Sequence, residues 1–111
     1  MPYAVIDEWA GGGHDTRNYD EIARRLDVEG DPPAGLIAHA AGSTPEGGFR
    51  ISDVWETREA YWAFAAERLG PIQQEVIAGL PPERRAEAGP PVTAVYELHD
   101  VIVPAPAAAA R

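Results

Sequence analysis

Proton chemistry at neutral pH needs a side chain that titrates there, and this sequence offers three histidines, His14, His39 and His99. His39 lies between Ala38 and Ala40 inside a short apolar run. Alanines leave space around an imidazole, so His39 is a candidate general base. The same placement suits a hydrogen-bonded histidine that holds packed surfaces together. His99 stands beside Asp100 and two residues after Glu97, near the end of the last apolar run. It is either a second pocket residue or a surface histidine. His14 follows Gly11-Gly12-Gly13 and reads as a solvated loop residue. Asp53 shares its strand side with Ile51 and Trp55. An acid between two large apolar side chains is a candidate acid or base, or the ion-pair partner of an arginine such as Arg68. If His39 and Asp53 fall on neighbouring strands, one can orient the other, but strand register decides that.

The aromatic residues Trp9, Trp55, Trp62, Tyr61 and Tyr96 either pack a core or line walls against a flat, apolar ligand. Other chemistries lack their residues. Cysteine and lysine are both absent, which removes disulfides, thiolate ligands, thiol nucleophiles and Schiff bases. The histidines show no metal-ligand spacing. The glycine run is not a phosphate loop, and Ser43 and Ser52 lack a nucleophile-elbow context.

The 111 residues allow one domain. A formal charge of −9 speaks against nucleic acid and against an anionic membrane surface as partners. No apolar run is long enough to span a membrane, and no export signal is seen, so a cytoplasmic location is expected. The bias toward Arg, Ala, Gly and Pro is what GC-rich coding produces.

The elements that must position these residues follow from periodicity. Residues 3–9 form a short apolar strand ending at the glycines. Tyr19, Ile22, Ala23 and Leu26 recur at helical spacing, with Asp15 or Thr16 as N-cap. Residues 34–42 and 49–56 read as strands joined by a turn, an antiparallel hairpin. Thr57 caps a helix from Arg58 to about Ala78, with a kink or break at Gly70-Pro71. Residues 79–91 read as a proline-rich loop and 92–103 as the last strand. Residues 1–103 thus make a single α+β domain of ferredoxin-like βαββαβ order with a four-stranded antiparallel sheet, and 104–111 an Ala/Pro-rich disordered tail. The strands carry apolar residues at both parities, so both sheet faces need cover. Two helices cover one face. A second subunit is the simplest cover for the other, giving a homodimer.

The run from Phe49 through Val54-Trp55-Glu56 to Tyr61 resembles the strand-into-helix signature of the dimeric α/β-barrel superfamily, which includes antibiotic-biosynthesis monooxygenases and haem-degrading monooxygenases. Leu36 to Gly42 with its Thr-Pro-Glu-Gly turn, and Glu67 to Pro71, are similar to small actinobacterial members. The resemblance implies a small-molecule enzyme of natural-product biosynthesis. A flat, polyketide-like or phenolic substrate would lie between helices and sheet, with His39 as base, Asp53 as its partner or an acid, and Trp55 against the ligand. Oxygenation, cyclisation or isomerisation would follow proton abstraction, without a cofactor. The haem-degrading relatives hold their haem through a histidine of the second helix, and Arg58 to Ala78 contains none. Haem through another histidine is the remaining cofactor route. The alternative function is a non-catalytic dimeric binding or structural protein of the same fold.

Overall fold

A computed structural model describes residues 1–13, 15–87 and 89–104, with the backbone alone for 86 and 87. The elements run β1 (Tyr3–Trp9), α1 (Arg17–Leu26), β2 (Leu36–Ser43), β3 (Phe49–Trp55), α2 (Arg58–Phe64), a π-helical stretch (Ala65–Leu69), α3 (Gly70–Ala78), α4 (Pro82–Glu87) and β4 (Val92–Glu97). The sheet order is β2-β3-β1-β4, and every neighbouring pair is antiparallel. This is the expected ferredoxin-like plan.

Register divides the side chains between two faces. Val5 lies opposite Asp53 and Val95, and Tyr3 opposite Trp55. Trp55 is fully buried against Tyr61 and Phe64, at 5.9 and 5.3 Å between ring centroids, so this parity faces the helices. The core sits there, with Val5 and Trp55 its most enclosed side chains and Leu26 of α1 and Val76 of α3 buried with them. The other parity presents Ile6, Ala40, Ser52, Val54 and the half-exposed Tyr96, with the small Ala4 buried among them.

Local chemistry sets the helix boundaries. The Asp15 carboxylate accepts from the Arg17 amide at 3.1 Å, while Thr16 turns its hydroxyl to Asp20 instead of capping. Asp27 closes α1 in the left-handed conformation, its N–H donating to the Ala23 carbonyl. Thr57 caps α2 by accepting from the Ala60 amide at 3.1 Å.

The expected interruption near Gly70-Pro71 takes a particular form. Pro71 has no N–H to donate back, and its ring crowds the preceding turn. The chain responds one turn earlier, widening to π geometry over Ala65–Leu69, with the Gly70 N–H donating to the Ala65 carbonyl. A Cβ on residue 70 would stand 2.9 Å from that carbonyl oxygen, so glycine permits the approach.

Two elements differ from what the sequence predicts. Residues 79–91 do not form a plain loop: Pro82 opens α4, where a missing N–H costs nothing, and Arg84 ties it to α1 through Asn18 at 2.9 Å. The last strand does not reach Val103. The Tyr3–Glu97 pair is the end of its ladder, Leu98 adds one bond to the Pro2 carbonyl, and no further strand residue of β1 remains to pair. The glycine loop after β1 is tied to the hairpin turn, with Gly13 N–H to Gly47 O at 3.0 Å and Ser43 Oγ to Gly13 O at 2.6 Å. The tail expectation falls largely on residues 105–111, outside those described.

Candidate functional site

The site begins with register. His39 lies directly opposite Asp53 on the β2–β3 ladder, and a bulge between Leu36 and Ala38 sets that pairing. Asp53 shares its parity with Ile51 and Trp55, so both side chains of the pair stand on the helix-facing side. His39 Nδ1 and Asp53 Oδ1 are 2.5 Å apart. A carboxylate only accepts, so Nδ1 carries the proton. The other nitrogen, Nε2, is then an acceptor in neutral imidazole, and the Tyr19 hydroxyl lies 2.6 Å from it. The two rings are parallel to within 3°, which suits an in-plane nitrogen lone pair. The pair is partly enclosed: 34% of the His39 side chain and 16% of the Asp53 side chain remain accessible.

The electrostatics follow from this geometry. The hydrogen bond to Asp53 raises the pKa of His39 above its ordinary 6.5; burial opposes the rise and the Asp53 charge adds to it. Burial, then the charges of Asp53 and Asp20, push the Tyr19 phenol up, so it stays a hydroxyl at neutral pH. Tyr61 is likewise pushed up, by burial and then by the charges of Asp7 and Asp53. Aromatic side chains form two groups on this side of the sheet. Phe49 lies 5.3 Å from Tyr19 and 6.4 Å from Trp9 in one, and Trp55 with Tyr61 and Phe64 make up the other.

Sequence-derived candidates separate on this basis. His39, Asp53, Trp55 and Tyr61 come to one face. Trp9 is on that face but is tied off, its indole N–H donating to the Gly89 carbonyl at 2.9 Å. Trp62 is 54% exposed on the outside of α2, with the Arg58 guanidinium 5.5 Å from its ring centre. It does not line this site, because helical spacing from Tyr61 turns it outward. Tyr96 pairs with Ala4 and belongs to the opposite sheet face. His99 lies exposed beyond the end of β4. His14 lies outside the described residues. The Arg68 alternative for Asp53 is overturned, since Arg68 donates to the Leu26 and Asp31 carbonyls and pairs with the Asp31 carboxylate.

Sequence reasoning missed Tyr19 as a site residue. The available signal was a phenol on the sheet-facing stripe of α1, since a half-buried hydroxyl needs a partner. A second signal concerns Trp55, whose indole N–H is buried without a hydrogen-bond partner among the described residues. Such a donor costs about 1–3 kcal/mol if it stays unpaired.

Two concavities have other linings. One of about 250 Å³ lies among Ala40, Gly42, Pro45, Arg50 and Ser52, and one of about 290 Å³ among Gly35, Glu56, Ala60, Phe64 and Arg68. Neither is lined by His39 or Asp53. Among the described residues no group of three or more His, Asp or Glu side chains is placed to hold a metal ion. His39, with both ring nitrogens engaged, is not an open axial ligand for haem. No described helix is long and apolar enough to cross a membrane.

Comparison with known proteins bears on the fold. No family model matches the sequence, and no curated protein does. Solved structures match along nearly the whole chain. The fold is that of the antibiotic biosynthesis monooxygenases. A monooxygenase from the gene ActVA-Orf6 of Streptomyces coelicolor, solved with the ligand nanaomycin D, is 20% identical with a TM-score of 0.62, over 94% of this chain and 92% of that one. SnoaB, a cofactor-independent oxygenase from Streptomyces nogalater, is 10% identical with a TM-score of 0.60, over 91% and 96%. The NE2512 protein of Nitrosomonas europaea is 18% identical with a TM-score of 0.67, over 95% and 96%. At these identities the antibiotic-biosynthesis-monooxygenase likeness is one of architecture, and chemistry rests on the site.

Proposed function

We propose that this protein is a cofactor-independent enzyme that takes a proton from a flat, mostly apolar phenolic or enolic substrate, of polyketide-like character, using His39 as base and Asp53 as its orienting partner. The observation that carries the reading is the 2.5 Å His39–Asp53 hydrogen bond on the helix-facing side of the sheet. It fixes the tautomer and stabilises the imidazolium that forms when the base takes up a proton. Tyr61 supplies an aromatic wall. The anion left by proton removal is electron-rich and would react with dioxygen, or close a ring, without a prosthetic group. The architecture shared with SnoaB and the ActVA-Orf6 monooxygenase is consistent with this class of reaction.

The working unit in this reading is a homodimer. Tyr96 is 50% and Val92 79% exposed on the opposite sheet face, and a second copy is the simplest cover. A binding-only reading of the same fold is favoured by one observation, that neither concavity is lined by the pair.

Ligand titration followed by NMR tests where a substrate sits. Dithranol, a tricyclic phenolic anthrone, is a suitable probe. It should shift the signals of His39, Tyr61 and the Trp55 indole N–H. Shifts confined to Ala40 and Ser52 on the opposite sheet face would remove the proposed site.

A further inference from the structure

A base must present a lone pair to the proton it removes, and His39 does not present one to solvent. Its Nδ1–H is given to Asp53 and its Nε2 is covered by the Tyr19 hydroxyl at 2.6 Å. Neither concavity opens on the imidazole. A substrate proton therefore reaches Nε2 either through the Tyr19 oxygen or after that hydroxyl has swung away.

We propose that Tyr19 is a catalytic residue that meets the substrate and relays its proton to His39. The inference rests on the reading of His39 as base. Tyr19 is held where a relay needs it. Phe49 packs against its ring at 5.3 Å, and Arg84 of α4 fastens the start of α1 through Asn18 and Asp15. Its phenol stays protonated at neutral pH, so it acts as a carrier and not as a free-standing base.

The step balances without an outside reagent. The acidic bond of the substrate, O–H in a phenol or enol and the ring-methylene C–H in the keto form of an anthrone, breaks and its proton goes to Tyr19 Oη. In the same movement the proton already on Oη passes to His39 Nε2. The products are a substrate anion, an unchanged tyrosine and an imidazolium held by the Asp53 carboxylate. No electrons change hands. With Nε2 now a donor, Tyr19 accepts from it, and the tyrosine O–H is free to donate to the substrate oxyanion.

Rapid mixing of the full chain with dithranol under anaerobic conditions isolates this step, because the probe's anion absorbs at longer wavelength and no dioxygen consumes it. Wild type should convert bound probe to its anion. Tyr19→Phe should bind the probe and form the anion at least about 100-fold more slowly, as His39→Gln should, in line with the usual worth of a proton-transfer group. A Tyr19→Phe protein that forms the anion as fast as wild type, while His39→Gln does not, overturns the relay and leaves the base reading intact. A wild type that binds the probe without forming its anion overturns the base reading, and the relay with it.

A second measurement needs no substrate. The ¹⁵N signal of His39 Nε2 should move in Tyr19→Phe, where water replaces the phenol as donor. Identical Nε2 signals in the two folded proteins would show that the hydroxyl does not hold that nitrogen, and would overturn the relay even if the probe failed to bind.

Discussion

At the scale of residues, the protonation state of His39 decides whether it can act. A base acts when neutral. Asp53 raises the His39 pKa above 6.5, so turnover should climb with pH through a value higher than an ordinary histidine's. Asp53→Asn should move that limb to lower pH and depress the plateau, as the orienting charge is lost. A pH–rate profile of both proteins measures this, and coincident limbs would contradict it. The same shift affects stability with a definite sign. The folded pKa exceeds the unfolded one, so the stabilising contribution is full below about 6.5 and is lost as pH rises through the folded value. Urea midpoints should fall across that window in wild type and change less in Asp53→Asn. Both members of the pair were legible from their types and neighbours. Their mutual facing was not, because it depends on a β2 bulge that composition does not reveal. Tyr19 was legible only as part of an apolar stripe.

At the scale of elements, two small contacts hold the site's frame. Gly35 precedes β2 with φ +87°, and a Cβ there would meet the Ala60 Cβ at 2.6 Å. Gly35→Ala should therefore cost at least about 1–3 kcal/mol, from the strained conformation before the clash is counted. Thr57→Ala removes the cap on α2 and should cost about 1 kcal/mol. Thermal melts check both, and a Gly35→Ala midpoint equal to wild type would contradict the geometry. The element order was legible because strand alternation and the Tyr19–Leu26 helical spacing are local signals. The α4 helix was masked by its prolines, although Pro82 stands where a helix begins. Where β4 ends was not legible, since Val101-Ile102-Val103 has strand character but meets no partner in its own sheet. That limit is set by the length of β1, not by the propensity of β4.

At the scale of the whole molecule, one sheet face is covered by helices and the other leaves Tyr96 and Val92 exposed. Ile102 and Val103 add apolar surface beyond β4, at 78% and 65% exposed. A second copy would bury both regions, so sedimentation should give twice the 11.9 kDa chain mass. Tyr96→Arg should shift the protein toward monomer, and a wild-type monomer at high concentration would contradict this assembly. The acidic charge belongs to the outer surface in this picture, where it favours solubility. In the proposed reaction the helix-facing side removes a proton so that dioxygen can react without a prosthetic group. Dioxygen uptake with dithranol, with no flavin, haem or metal added, tests it most directly. Wild type should consume dioxygen, and His39→Gln, folded by near-UV circular dichroism, should do so at least about 100-fold more slowly. Equal rates in the two proteins would contradict the account.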